Sequence, residues 1–241
     1  MSDLVTVRDE GAVRVLTMNR PDKLNALNGE LIGALSAALA AAQANDDVAV
    51  LVLAGAGRAF CAGADTAAGR RLAPETRPAM IRHADHSIAL FRQFARTDKP
   101  IIAAVHGYAL GAGAILACAS DLVVAAESAR FGFPELKIGL TASTVTALFV
   151  HLAGRKAAFE LLTLCENIGP ARALELGMIN RVVAEADPVP AALAMANTLA
   201  GWNKHALWQT KRTFHRALAL GEERALEMAR DISVMMGRFP D

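Results

Sequence analysis

Two apolar runs, each opening directly into a segment of glycine and alanine, constrain this chain more than any other feature. Val48-Ala-Val-Leu-Val-Leu53 carries β-branched residues at alternate positions and no polar side chain, as suits a strand buried on both faces. Ala54-Gly-Ala-Gly-Arg-Ala-Phe-Cys-Ala-Gly-Ala-Asp-Thr66 follows it. The pairing recurs where Ile101-Ile-Ala-Ala-Val105 leads to Gly107-Tyr-Ala-Leu-Gly-Ala-Gly-Ala114. Small residues leave the backbone uncovered, so its N–H groups can approach a ligand closely. Two such segments, each at the end of a buried strand, could aim two N–H donors at one oxygen, an oxyanion hole built of main chain. Either segment taken singly is equally well explained by tight packing.

Composition narrows the class. The 241 residues fit one large domain, or a domain with a helical appendage. Lys and Arg number 25 and Asp and Glu 24, a net +1 that argues against a polybasic nucleic-acid surface. The longest apolar run, 101–119, is broken by His106, Tyr108 and three glycines, so no membrane span is expected. The N-terminus has no apolar signal-type core. Cys61, Cys118 and Cys165 are odd in number and widely separated, forming neither a disulfide framework nor a metal knuckle. A reducing, cytoplasmic setting is the expectation.

Periodicity sets the order of elements. Leu4–Arg8 and Val13–Met18 alternate around Glu10-Gly11 and predict a hairpin. Asn28 is placed to cap a helix through Ala44 that buries Leu31, Leu35, Ala38, Leu39 and Ala42. Residues 67–78 read as a mobile stretch, and 79–96 as a helix with Ile81, Ile88, Phe91 and Phe94 inward. A strand at 101–105, a helix over 111–119 and a strand at 122–126 follow. Phe131-Gly-Phe-Pro-Glu135 reads as extended because Pro134 disfavours helix before it. Helices over 143–152, 155–163 and 170–176 lead to Asn180-Arg-Val-Val183, after which the pattern is helical. Strand–helix alternation followed only by helices predicts an α/β core at 1–185 and a helical region at 186–241. The Ala-rich helices of that region suggest packing between subunits, or else closure of a monomer's own core.

The motifs are similar to those of the crotonase family, the enoyl-CoA hydratase/isomerase superfamily, over nearly the whole chain. They run from Asn19-Arg-Pro-Asp-Lys-Leu-Asn-Ala-Leu27 through Ala59-Phe-Cys-Ala-Gly-Ala-Asp65 and Lys99-Pro-Ile-Ile-Ala-Ala-Val-His-Gly-Tyr-Ala-Leu-Gly-Ala-Gly113. Phe131-Gly-Phe-Pro-Glu135 and Ala171-Arg-Ala-Leu-Glu-Leu-Gly-Met-Ile-Asn-Arg-Val-Val183 complete the set. The resemblance implies a spiral of ββα turns, a trimerising helical C-terminal region and often a dimer of trimers. It implies an acyl-CoA thioester substrate whose coenzyme A needs no further cofactor, no metal, and no nucleic-acid or membrane partner. By position, the N–H groups of Ala64 and Ala112 would be the oxyanion donors, the second at a helix start whose dipole adds to the effect. Each well-placed donor is worth roughly 2.7–4 kcal/mol in the transition state. The resemblance also places substrate against Lys23, Leu24, Ala26, Ala62, Gly63, Asp65, Thr66, Tyr108, Gly111, Pro134 and Leu140. Asp65 has a competing role as a helix N-cap.

Hydration in this family usually takes two glutamates that hold one water. Here the first position is Ile115 and the second is Glu135. An isoleucine can neither orient water nor take a proton. One carboxylate beside an oxyanion hole suits a single-proton shuttle, so the resemblance implies Δ3,Δ2-enoyl-CoA isomerisation, with Glu135 held at a raised pKa by apolar Phe131, Phe133 and Ile115. The alternatives are hydration with a non-standard water site, or an acyl-CoA-binding protein without turnover. After Glu135 the family's glycine run is replaced by Gly139-Leu-Thr-Ala-Ser-Thr144, whose hydroxyls are expected to cap the next helix rather than to meet a polar substrate or a water. His106 and Cys61 read as packing residues, Trp202 and Trp208 as subunit or core packing, and His83 and His86 as candidates to contact the acyl end.

Overall fold

The computed structural model describes residues 3–66 and 77–236, without the side chains at 79, 80, 82 and 83. Six strands form one sheet: β1 Val5–Glu10, β2 Val13–Met18, β3 Val50–Gly55, β4 Ile101–Val105, β6 Leu122–Ala126 and β8 Arg181–Val183. Their spatial order is β1-β2-β3-β4-β6-β8. Only the β1–β2 hairpin is antiparallel, turning at Gly11 with φ +59°, a conformation that costs glycine nothing. The later pairs are all parallel. Two further strands, β5 Tyr108–Leu110 and β7 Arg130–Gly132, make a separate parallel pair.

Period-two alternation explains why the central strands are apolar throughout. Leu51, Leu53, Ile101, Ala103 and Val105 face one core, shared with helix α1 (Gly29–Ala44) and the C-terminal half of α2 (Arg77–Arg96). Val50, Val52, Ala54, Ile102 and Ala104 face the other, closed by Ala192 and Ala196 of a later helix. Asn28 caps α1, accepting from Leu31 N at 2.9 Å. The apolar stripe is as expected, with Ile32 added to it and Ala38 only partly buried. On α2 the stripe differs, since Leu90, Phe91 and Phe94 are buried whereas Ile81 is 55% exposed. The reading of 67–78 lies outside the described residues apart from Arg77 and Pro78, which open α2.

Short helices follow: α3 Ala112–Cys118, α4 Ser143–Phe149, α5 Arg155–Leu164 and α6 Pro170–Glu175. The expected extended segment at 131–135 stops early, because Pro134 precedes a 3₁₀ turn, Glu135–Ile138, as its N-cap. Proline disfavours a helix interior but not a helix start, so the turn begins where the strand ends. The capping expectation for the hydroxyls fails. Ala142 is the N-cap of α4 and no side chain caps it.

The last three helices are α7 Val189–Ala200, α8 Lys204–Ala217 and α9 Glu222–Met236. The first covers the second face of the sheet. Trp208 fixes α8, donating from Nε1 to Ala49 O at 3.0 Å. Lys211 Nζ reaches Lys99 O at 3.0 Å and Asp121 Oδ2 at 2.6 Å. Burial pulls the Lys211 ammonium below its usual range, and Asp121 opposes the shift. Removing the cation would take one partner from Asp121, which keeps Ile101 N at 2.7 Å and His215 Nε2 at 3.0 Å. Lys211→Met should therefore cost about 1.5–3 kcal/mol, read as a lower denaturant midpoint at unchanged slope. By contrast α9 has no buried residue. None of the described helices is long and apolar enough to cross a membrane.

Candidate active site

The small-residue segments after β3 and β4 lie side by side. Cys61 N donates to Tyr108 O at 2.9 Å, and Leu110 N donates back to Cys61 O at 3.0 Å. Such closeness needs glycine: a Cβ on Gly63 would lie 2.7 Å from Leu110 O and 3.6 Å from Ala112 N. A third strand of backbone runs along the other side of the first segment. Ala62 N bonds Leu24 O, Leu27 N bonds Gly63 O and Asp65 N bonds Leu27 O, all between 2.7 and 2.9 Å. This parallel bridge pairs Leu27 with Ala64 through the amides on either side of Ala64. The N–H of Ala64 itself therefore points away from that ladder. The N–H of Ala112 belongs to the first turn of α3 and has no intrahelical acceptor.

Asn25 holds this ribbon in place. It is fully buried at φ +54°, accepts from Arg20 N at 2.8 Å, and donates to Ala56 O and Ala59 O at 2.9 and 2.8 Å. Asparagine tolerates that backbone better than most residues and supplies both bonding types. Arg20 extends the clamp, bonding Ala26 O at 2.7 Å and Asp65 Oδ2 at 2.8 Å. The sequence motif points to coenzyme A contact and gives no sign of this structural role beyond an asparagine set between Leu24 and Ala26.

Ala64, Asp65, Ala112, Glu135 and Leu140 line one cavity of about 690 Å³. Glu135 enters it from the 3₁₀ turn, with its carboxylate pressed on Gly111, where a Cβ would meet Oε1 at 2.5 Å. Its Oε2 is buried and has no hydrogen-bond partner among the described residues. Burial pushes the carboxyl above the ordinary glutamate range, opposed only by its own backbone N–H. Ile115, one turn beyond Ala112, is fully buried in the hydrocarbon core and is absent from the cavity wall. Phe133 is also fully buried, its ring centroid 4.4 Å from that of Phe149.

The remaining expected contacts sit around this centre. Lys23 is exposed at the end of a 3₁₀ turn, Leu24 has φ +49°, and Ala26 is half-buried beside them. Ala62 and Gly63 lie on the adjoining ribbon, Pro134 precedes Glu135, and Thr66 stands at the edge of the described residues. Tyr108 is 44% exposed on β5, outside the cavity wall. His86 is exposed and off that wall, where Ala84, Ser87, Leu90 and Phe91 stand instead; the side chain of His83 lies outside the described residues. His106 bonds Gly57 O at 2.9 Å. The Cys61 thiol bonds Asn25 O at 3.1 Å, and burial pushes it up to about 12, which makes it inert packing. Among the described residues no three or more His, Cys, Asp or Glu side chains group to hold a metal ion.

Parallel strands whose small-residue exits meet around a cavity that holds the unpartnered Glu135 Oε2 define an α/β enzyme of the crotonase type. The enoyl-CoA hydratase/isomerase family model matches residues 8–237, and the chain belongs to that family. Among its relatives, the 1,2-epoxyphenylacetyl-CoA isomerase of Escherichia coli is 35% identical over 246 residues, covering 100% of this chain and 93% of the relative. The 2,3-dehydroadipyl-CoA hydratase of the same organism is 32% identical over 242 residues, covering 100% and 92%. An enoyl-CoA hydratase/isomerase family protein from Silicibacter pomeroyi superposes with a TM-score of 0.92 at 32% identity, covering 99% of this chain and all of that one.

Proposed function

We propose that this protein isomerises 3-enoyl-CoA thioesters to the conjugated 2-enoyl form by single-proton transfer. The N–H groups of Ala64 and Ala112 receive the thioester oxygen as charge builds on it. Glu135 removes a proton from the α-carbon and returns it at the γ-carbon, so the double bond moves one position and no water is consumed. The observation that carries the reading is the unpartnered, buried Oε2 of Glu135 in the cavity shared by both alanines, with hydrocarbon at Ile115. Lys23, Leu24, Ala26, Ala62, Gly63, Asp65 and Thr66, on the ribbon beside the first donor, are proposed to receive the coenzyme A portion. Tyr108, Gly111, Pro134 and Leu140 complete the proposed substrate contacts.

Hydration is the second reading. It is favoured by the hydroxyls of Thr141, Ser143 and Thr144, which line the same cavity and cap nothing. Incubation of 3-hexenoyl-CoA in deuterium oxide separates the two. Isomerisation gives the conjugated thioester with no oxygen added, and deuterium enters the γ-carbon only as far as the Glu135 proton exchanges with solvent before its return. Net conversion of 2-butenoyl-CoA to its 3-hydroxy product, at a rate matching or exceeding that isomerisation, would instead establish hydration and overturn the first reading.

For residues 186–241 we propose the assembly role, as a homotrimer or a pair of trimers. Leu226, Val234 and Met235 on α9 are 60%, 79% and 83% exposed, an apolar set a second copy would cover. Sedimentation equilibrium should give a trimer or hexamer, and a monomer at micromolar concentration would refute the role.

A further inference from the structure

The cavity has two kinds of lining. Ile32, Leu90 and Phe91 contribute hydrocarbon, whereas the segment 141–145, which also lines the cavity, brings three hydroxyl-bearing residues, Thr141 and Ser143 exposed and Thr144 half-buried. None of the three hydroxyls has a hydrogen-bond partner among the described residues, and helix capping does not use them, since Ala142 caps α4 without any side chain. Asn28, also on the wall, is committed already, its Oδ1 accepting from Leu31 N.

An acyl chain entering this cavity displaces the water that solvates those hydroxyls. A plain hydrocarbon gives nothing back, and the hydroxyls are left facing methylene groups. An oxygen on the acyl chain replaces the lost bonds, and threonine can either donate to it or accept from it. Charge selects further. Glu30, Asp65 and Glu135 line the cavity, and no Lys, Arg or His does so among the described residues. The Arg20 guanidinium behind the wall is already paired with Asp65. An acyl group ending in a carboxylate would meet like charge, with no free cation among the described residues of the wall to offset it.

We propose that the acyl group this protein takes carries a neutral hydrogen-bonding oxygen, such as a hydroxyl, beyond the carbons that react at Glu135, and that Thr141 and Thr144 recognise it. The proposal rests on the reading of the cavity as an acyl-CoA site. Its test is a binding comparison that needs no turnover: hexanoyl-CoA, 6-hydroxyhexanoyl-CoA and adipyl-CoA titrated by calorimetry into the whole protein. The hydroxylated thioester should bind about tenfold more tightly than hexanoyl-CoA, the worth of one or two net hydrogen bonds, and adipyl-CoA the least tightly. In Thr141→Val and Thr144→Val the ratio of the first two affinities should fall towards one. The ratio is taken within each variant, so any loss of folded protein cancels.

Equal affinities for hexanoyl- and 6-hydroxyhexanoyl-CoA, tightest binding of adipyl-CoA, or an unchanged ratio in both variants would overturn the proposal. α-Hydrogen exchange of hexanoyl-CoA, measured in parallel, separates the two failures. Exchange without the preference sinks only the substrate class; preference without exchange sinks only the proton shuttle. Absence of binding by all three thioesters sinks both.

Discussion

Glu135→Gln should slow exchange of the α-hydrogen of a bound acyl-CoA by about 10²–10⁴-fold while making the protein more stable at neutral pH. Both effects have one cause. Burial holds this carboxyl above its ordinary value, so the folded protein keeps a proton that the unfolded chain has already released. The group's contribution to stability is complete below the ordinary glutamate range and is lost as pH rises through the raised value. At neutral pH the wild type carries a charge in a partly desolvated place, and glutamine does not. The melting temperature of the variant should exceed that of the wild type near neutrality, and the gap should close as pH falls below the ordinary glutamate range. Activity follows the opposite course, because the base must be ionised: the exchange rate of the wild type should fall with pH through the raised value. A merely structural glutamate would give the reverse pattern, with stability lost on substitution and exchange retained. Exchange by the variant at the wild-type rate would end the shuttle assignment.

The sheet was legible because its strands obey a local rule. Residues 50–54 and 101–105 alternate between two cores, and full burial of both faces leaves the unbroken apolar run that marks such strands. Strand β5 was not legible: its three residues sit inside a glycine-rich stretch, and their partner in β7 is about twenty positions away. The proposed donors Ala64 and Ala112 are reached through small residues at strand exits together with family resemblance, because alanine itself carries no chemical signal. Glu135 is reached through the resemblance alone, by its place after Phe131-Gly-Phe-Pro134. The cavity walls were harder to foresee. Ile32, Leu90 and Phe91 follow helical spacing whether they face a core or a ligand, and only their place on the same cavity wall as Glu135 separates the two. The hydroxyls of 141–144 misled for a related reason. Serine and threonine before a helix suggest a cap, but the chain enters α4 with Ala142 at that position.

Gly113→Ala should be as damaging as loss of the acid, although it adds one methyl group and removes no functional atom. Gly113 follows Ala112 in the first turn of α3, and a Cβ there would collide with the carbonyl oxygen of Cys61 and lie 2.8 Å from its carbonyl carbon. That same oxygen accepts from Leu110 N, the bond that ties the two small-residue segments together. Neither segment can yield alone: the first is laced to Leu24 and Leu27 on its far side, and the second leads into a helix whose next six residues are buried. The methyl group must therefore drive the two segments apart, and the amides of Ala64 and Ala112 with them. A displacement of about 1 Å at a reacting centre costs on the order of 10²-fold, and overpacking adds about 1–3 kcal/mol of lost stability. Exchange measured on the folded fraction, set by its denaturation curve, keeps the two effects separate. Gly33→Ala is the control, since a Cβ on that helical glycine meets nothing within 4 Å. It should leave exchange unchanged and raise stability by about 0.5–1 kcal/mol. If Gly113→Ala exchanges within a few-fold of wild type, the two amides do not need this close approach, and a main-chain oxyanion hole is the wrong account of the site.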